Sequence, residues 1–179
     1  MFYLFLADGF EETEALAPLD MMRRAKIEVK TVGVTGEFVT GSHGVTVKAD
    51  LKPEEISFNN IDGVVLPGGM PGTINLGKSE TVTKAAVYCA ENGKITAAIC
   101  AAPSVLGNLG ILKGKKATCF PRFEKELEGA TYTATPVEID GNVITGKGAG
   151  CAILFGKAIV EKAVSAEAAN KVCGDMQCP

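Results

Sequence analysis

Three short apolar runs constrain this chain more than any other feature: FYLFLA (2–7), IDGVVLPGG (61–69) and ITAAIC (95–100). Each is apolar on nearly every residue until it breaks into a loop, the pattern of a strand buried on both faces. Helical patterns alternate with such runs. EETEALAPLDMMRRA (11–25) carries acids in its first turn and arginines in its last, complementing the helix dipole. SETVTKAAVYCAENGK (79–94) has Ser79 as N-cap and Gly93 as stop signal. Repeated strand–helix–strand units predict a mostly parallel sheet covered on both faces, an α/β three-layer sandwich of doubly wound type.

The remaining segments fit around that frame. IEVKTVGV (27–34) alternates as a strand, and EFVT with VTVKAD bracket the turn GSHG (41–44). A helix starts at 102–109. KKATCF, TYTATPVEID and NVITGKG predict later strands, with a tight turn at 140–142. Helices follow over 150–165 and from 166 to about 173. Pro18 predicts a kink or early break in the first helix.

With 179 residues the chain suits one domain, 1–179, able to bury a core without disulfides. The net charge of −3 and the lack of a basic run argue against a nucleic-acid partner. No stretch approaches the roughly 20 apolar residues of a membrane span, and the amino terminus lacks signal-peptide features. The expectation is a cytoplasmic protein. Its six cysteines, at 89, 100, 119, 151, 173 and 178, include no pair at metal or redox spacing. Cys173 and Cys178 are taken as incidental.

In doubly wound sheets, ligands bind beyond the carboxyl ends of the strands. Three loops leave such ends: ADGFEETE (7–14), LPGGMPG (66–72) and ICAAP (99–103). Cys100 stands between a strand and a helix, the position of a nucleophile elbow, with small Ala101 and Ala102 beside it. A helix amino terminus lowers a thiol pKa. The position alone also fits an inert thiol at the end of a core strand. The Gly68–Gly69 amides supply half of an oxyanion hole and the amide of Ala101 the other half, or the glycines are simply a turn. Of Glu11, Glu12 and Glu14, one could point inward and share a proton with Cys100, or all could face water. His43 is the only histidine and precedes the nucleophile. This disfavours a Cys–His protease or amidotransferase and a histidine-built zinc site, and no metal or cofactor is expected.

Together ADGFEETEALAPLDMMRRA, DGVVLPGGMPG, AAICAAPSVLGNLGIL and ITGKGAG resemble the ThiJ/PfpI superfamily, in the branch of the parkinsonism-associated deglycase and its bacterial YajL relatives. The likeness runs over nearly the whole chain, in order. It implies a flavodoxin-like fold, a homodimer, Cys100 as elbow nucleophile and Glu14 hydrogen-bonded to its sulfur. It implies that Gly68, Gly69 and Ala101 line the oxyanion side. Arg24 matches an arginine near a dimer-interface anion site, and His43 stands where relatives carry another arginine. Phe120 of TCFP (118–121) occupies the place of the usual dyad histidine, GAG (148–150) replaces GPG, and Phe10 could alter the pocket. The implied activity is cofactor-independent glyoxalase or deglycase chemistry on methylglyoxal or glycation adducts, with oxidative-stress protection. The alternatives are a redox sensor or chaperone acting through Cys100 oxidation, and more remotely a hydrolase.

Overall fold

The computed structural model describes residues 1–178. In chain order it holds β1 (Phe2–Leu6), α1 (Glu12–Arg24), β2 (Val29–Gly33), β3 (Phe38–Thr40), β4 (Thr46–Lys48) and β5 (Gly63–Leu66). Then come α2 (Gly72–Lys78), α3 (Glu80–Glu91), β6 (Ile95–Ile99), α4 (Pro103–Asn108), β7 (Lys116–Ala117) and β8 (Thr131–Tyr132). β9 (Val137–Asp140), β10 (Val143–Gly146), α5 (Ala152–Ala163) and α6 (Ala166–Asp175) complete the chain.

The three apolar runs become adjacent strands. The main sheet has the order β2-β1-β5-β6-β10-β9, parallel except for the edge strand β9. Leu4 of β1 lies between Thr31 of β2 and Val65 of β5. Alternation along β1 sends Phe2, Leu4 and Leu6 to one face, against Met21, Phe155 and Ile159 of α1 and α5. Tyr3 and Phe5 go to the other face, with Leu76, Val82 and Leu106 from α2, α3 and α4. Burying each such leucine or phenylalanine contributes about 1.5–3 kcal/mol, which is what fixes the three layers. Strand order reverses between β1 and β5, so the crevice of this flavodoxin-like sheet opens above their carboxyl ends.

Several expectations needed correction. Pro18 does not end α1, which runs on to Arg24 with Pro18 buried. Its ring packs where Gly156 of α5 leaves room; a Cβ there would come within 3.0 Å of the Pro18 Cα. Of KKATCF only Lys116–Ala117 form a strand, paired with Thr131–Tyr132 in a separate two-stranded sheet. TYTATPVEID divides into β8 and β9. The pair around GSHG forms as β3 and β4, antiparallel. Helix α2, unsuspected from the sequence, begins directly after the glycine loop.

Candidate active site

Strand β6 ends at Ile99, and the backbone then turns sharply. Cys100 has φ 65°, in the left-handed region that a side chain adopts at a cost of about 1–2 kcal/mol. Two hydrogen bonds hold it there. Its N–H donates to the Gly146 carbonyl at the end of β10 (2.9 Å), and its carbonyl accepts from the Phe120 N–H (2.8 Å). Pro103 opens α4 immediately afterwards. The elbow is therefore fastened on both sides, and the residue in the strained position is the cysteine itself.

The first turn of α1 brings the acid. Glu11 caps the helix, its Oε2 accepting from the Glu14 N–H at 2.7 Å, and its own N–H donates to the Gly68 carbonyl at 3.0 Å. These bonds fasten the acidic loop to the glycine loop. Glu14 is only 1% exposed. Its Oε2 accepts from the Gly68 N–H at 2.9 Å, and its carboxyl partners the Cys100 thiol. At Gly68 a Cβ would lie 2.6 Å from Glu14 Oε2 and 2.7 Å from the Cys100 Cβ, so only glycine lets the loop pass between them. Gly69 takes φ 88° and would collide with the backbone of Gly9 and Glu11 if it carried a side chain. Its amide, with that of Ala101, faces the Cys100 sulfur and favours its charged form.

Burial pushes Glu14 up to about 7, and the Glu11 carboxylate adds to the rise; Cys100 and the amides of Gly68 and Ala149 oppose it. Burial also pushes the Cys100 thiol up to about 12, followed by the charge of Glu14, while the Ala101 and Gly69 amides pull it down. The expected lowering of the thiol by the helix terminus is thus outweighed. Both rises describe one coupled pair: a buried acid and a buried thiol resist carrying two negative charges together and hold one proton between them. Across the neutral range that proton can sit on sulfur or on carboxyl. Sulfur becomes nucleophilic as the proton passes to Glu14.

Gly68 also departs from expectation. Its N–H is engaged by Glu14, which leaves Gly69 and Ala101 as the amides aimed at the reacting atoms. Gly146 and Ala149 complete the site and were not anticipated, while Glu11, one of the three candidate acids, does not turn inward. Gly146 and Ala149 act through backbone atoms, which residue identity does not announce, and Glu11 acts as a cap.

A model of the DJ-1/PfpI family matches residues 2–162. The chain belongs to the DJ-1/PfpI family. Among its relatives are the DJ-1 homolog B of Arabidopsis thaliana, 35% identical over 96% of this chain and 40% of that protein, and Drosophila melanogaster DJ-1beta, 35% identical over 94% and 92%. The chain spans less than half the length of the two Arabidopsis relatives. A Thermococcus kodakarensis protein named as a deglycase is 34% identical over 79% of this chain and 86% of its own length. Among solved structures, a Salmonella typhimurium DJ-1 superfamily protein superposes with a TM-score of 0.94 at 31% identity, covering 99% and 98% of the chains. Oxidized Toxoplasma gondii DJ-1 does so at 0.94 and 32%, covering 98% and 97%.

The other residues singled out for this DJ-1/PfpI chain do not join the pair. His43 is held by Glu12: the Nδ1 lies 2.9 Å from Oε2, and the His43 N–H donates to Oε1 at 2.8 Å. Arg24 pairs with Asp20 at 2.8 Å, one turn earlier on α1. Twelve residues of helix, about 18 Å, separate Glu12 from Arg24. An anion site built from His43 and Arg24 is therefore not assembled within one protomer, and carboxylates surround His43. The Glu11, Glu12 and His43 ligand atoms lie within 4.8 Å of one another, but Glu12 is already engaged by hydrogen bonds from His43 and Val45. Phe120 is half-exposed, next to Gly148. A cavity of about 400 Å³ opens on the far side of the glycine loop, lined by Met70, Thr73, Ser104 and Arg122, with neither Cys100 nor Glu14 in its wall. Among the described residues no helix is long and apolar enough to cross a membrane.

Proposed function

We propose that this protein is a cysteine-dependent enzyme of glyoxalase or deglycase type acting on small reactive aldehydes such as methylglyoxal, or on glycation adducts. The observation that carries the reading is the coupled Glu14–Cys100 pair on a strained elbow. Sulfur attacks the aldehyde carbon as its proton passes to Glu14, forming a hemithioacetal. The Gly69 and Ala101 amides stabilise the oxygen that gains charge. Glu14, poised near neutrality, then shuttles the proton between adjacent carbons, and water releases a 2-hydroxy acid. The net reaction is an internal redox exchange plus water, so its balance calls for no cofactor. The Thermococcus relative named as a deglycase supports the same class.

Methylglyoxal loss and lactate formation test this in the parent, Cys100→Ala and Glu14→Gln. Turnover is expected to vanish in the first variant and fall strongly in the second; equal rates in all three would sink the reading.

A second reading is a peroxide sensor with a chaperone role. A half-buried thiol beside a carboxyl able to donate to a sulfinate favours it, as does the oxidized state of the Toxoplasma gondii relative's structure. Protease chemistry is disfavoured, because the lone histidine is bound to Glu12 and Phe120 stands in the dyad position. We further infer a cytoplasmic homodimer, with Arg24 at or near its interface; light scattering of the parent and Arg24→Ala would test the assembly.

A further inference from the structure

Helix α6 ends in a particular cap. Gln177 adopts φ 55°, a left-handed conformation. The Cys178 N–H donates to the Cys173 carbonyl at 2.9 Å, and the Gln177 N–H to the Gly174 carbonyl at 3.1 Å. These are the two bonds of a Schellman motif with Met176 as the cap residue. Such a motif brings together the side chains of the third-last helical residue and the second residue beyond the cap, usually as an apolar contact. Here both are cysteines. The cap therefore places the two cysteines side by side at the end of the helix, and both thiols are free and half-buried. A spacing of five residues matches no metal or redox motif, so the pairing is visible only once the cap is formed.

We propose that Cys173 and Cys178 form a redox-active dithiol that closes to a disulfide when a hydroperoxide oxidises it, at a site separate from Cys100. One thiolate attacks the peroxide: an S–O bond forms, the O–O bond breaks, and water or an alcohol leaves. The second thiol attacks the sulfenic sulfur: the S–S bond forms, the S–O bond breaks, and water leaves. Two electrons pass from sulfur to peroxide, and two thiols plus one hydrogen peroxide become one disulfide and two waters. Burial, and then the neighbouring Cys178, push the Cys173 thiol up, with Lys157 pulling the other way. Either thiol can meet the peroxide, and the other resolves it. The cap holds the resolving thiol at high effective concentration, so the second step outruns further oxidation. Cys100 differs: its partners are a carboxyl and two amides, and its sulfenic acid lacks that exit.

The test uses the whole protein, as parent and as Cys100→Ala, treated with hydrogen peroxide, alkylated and digested with trypsin without reduction. Cleavage after Lys171 leaves both cysteines on one fragment beginning at Val172. That fragment is expected to lose two hydrogens, about 2 Da, and to resist alkylation in both proteins, with both changes reversed by dithiothreitol. Cys173→Ser should abolish the loss and leave Cys178 oxygenated instead. Oxidation of Met176 adds an oxygen without removing hydrogens, so it cannot be mistaken for the crosslink. A fragment that stays fully alkylatable, or only gains oxygen, at peroxide doses that oxidise Cys100 in the parent would overturn the proposal.

Discussion

Glu12 and Glu14 occupy the same first turn of α1, two residues apart, and their environments treat them in opposite ways. Residues two apart on a helix point to different sides. Glu14 turns inward beneath the glycine loop, where burial and the Glu11 charge push it up to about 7. Glu12 turns to the GSHG loop and is also buried, 9% exposed. Burial again opposes its charge, but the His43 side chain and the backbone N–H groups of His43 and Val45 overcome it, bringing Glu12 down to about 2. Burial alone therefore does not decide the titration of a carboxyl here. The donors around it decide how far burial is offset: those at Glu12 overcome it, whereas those at Glu14 do not, and the Glu11 charge adds to the burial there. Glu14 is the carboxyl left free to exchange a proton at neutral pH.

The strongest way to break the comparison is to neutralise each acid in turn. The one-proton state of the Glu14–Cys100 pair prevails above about 7 and below about 12, so aldehyde turnover in the parent should rise through pH 7. Glu14→Gln should lower kcat/KM by roughly 10²–10⁴-fold, the range for losing a positioned acid–base group, and remove that limb. Glu12→Gln should keep the limb where it is. A limb near pH 7 that survives Glu14→Gln would assign it to another group.

Gly68→Ala attacks the same pair sterically. The new Cβ meets the Glu14 carboxylate and the Cys100 Cβ below 3.0 Å, and the Ile99 carbonyl at 3.0 Å. Overpacking of this kind costs about 1–3 kcal/mol. Denaturant unfolding should report that loss, and the thiol-reactivity profile against pH should shift with it. An unchanged profile would mean that the loop yields without moving the pair.

Stability against pH separates the two acids in sign. Glu14 holds its proton more tightly when folded, so stability falls as pH climbs from 4.5 towards about 7. Glu14→Gln removes that loss: above pH 7 the variant should be the more stable by up to roughly 3 kcal/mol, at ~1.4 kcal/mol per unit, with no gain at pH 4. The contribution of Glu12 runs the other way, present above 4.5 and fading as pH falls towards about 2. Urea titrations across this range would show both slopes.

The sequence made one of these regions far more legible than the other. Buried strands announce themselves as apolar runs, so β1, β5, β6 and the loops above them were readable, and with them the convergence of Cys100, the glycines and an acid. Identifying Glu14 among three acids required the family likeness, since helix phase alone does not say which side the core lies on. The roles of Gly146 and Ala149 were hidden because backbone groups act there. β7 and β8 were overextended because alternating patterns do not reveal where a strand finds a partner. The Cys173–Cys178 contact depends on a left-handed Gln177, which no propensity scale flags.

The smallest expected effect concerns His43, and it sharpens the comparison from the other side. Its ring is bonded to Glu12, which raises its pKa above the ordinary 6.5, with a lesser push from Glu11. Its contribution to stability is therefore complete below 6.5 and lost as pH rises through the folded value. The side chain is 72% exposed, so solvent screening keeps this contribution small. As the only histidine, it gives a single unambiguous set of imidazole resonances. Their titration midpoint should lie above 6.5 in the parent and return to about that value in Glu12→Gln. A parent midpoint already at 6.5 would leave the low pKa of Glu12 to backbone donors alone, and the contrast with Glu14 would then rest on how amides, not charges, are aimed.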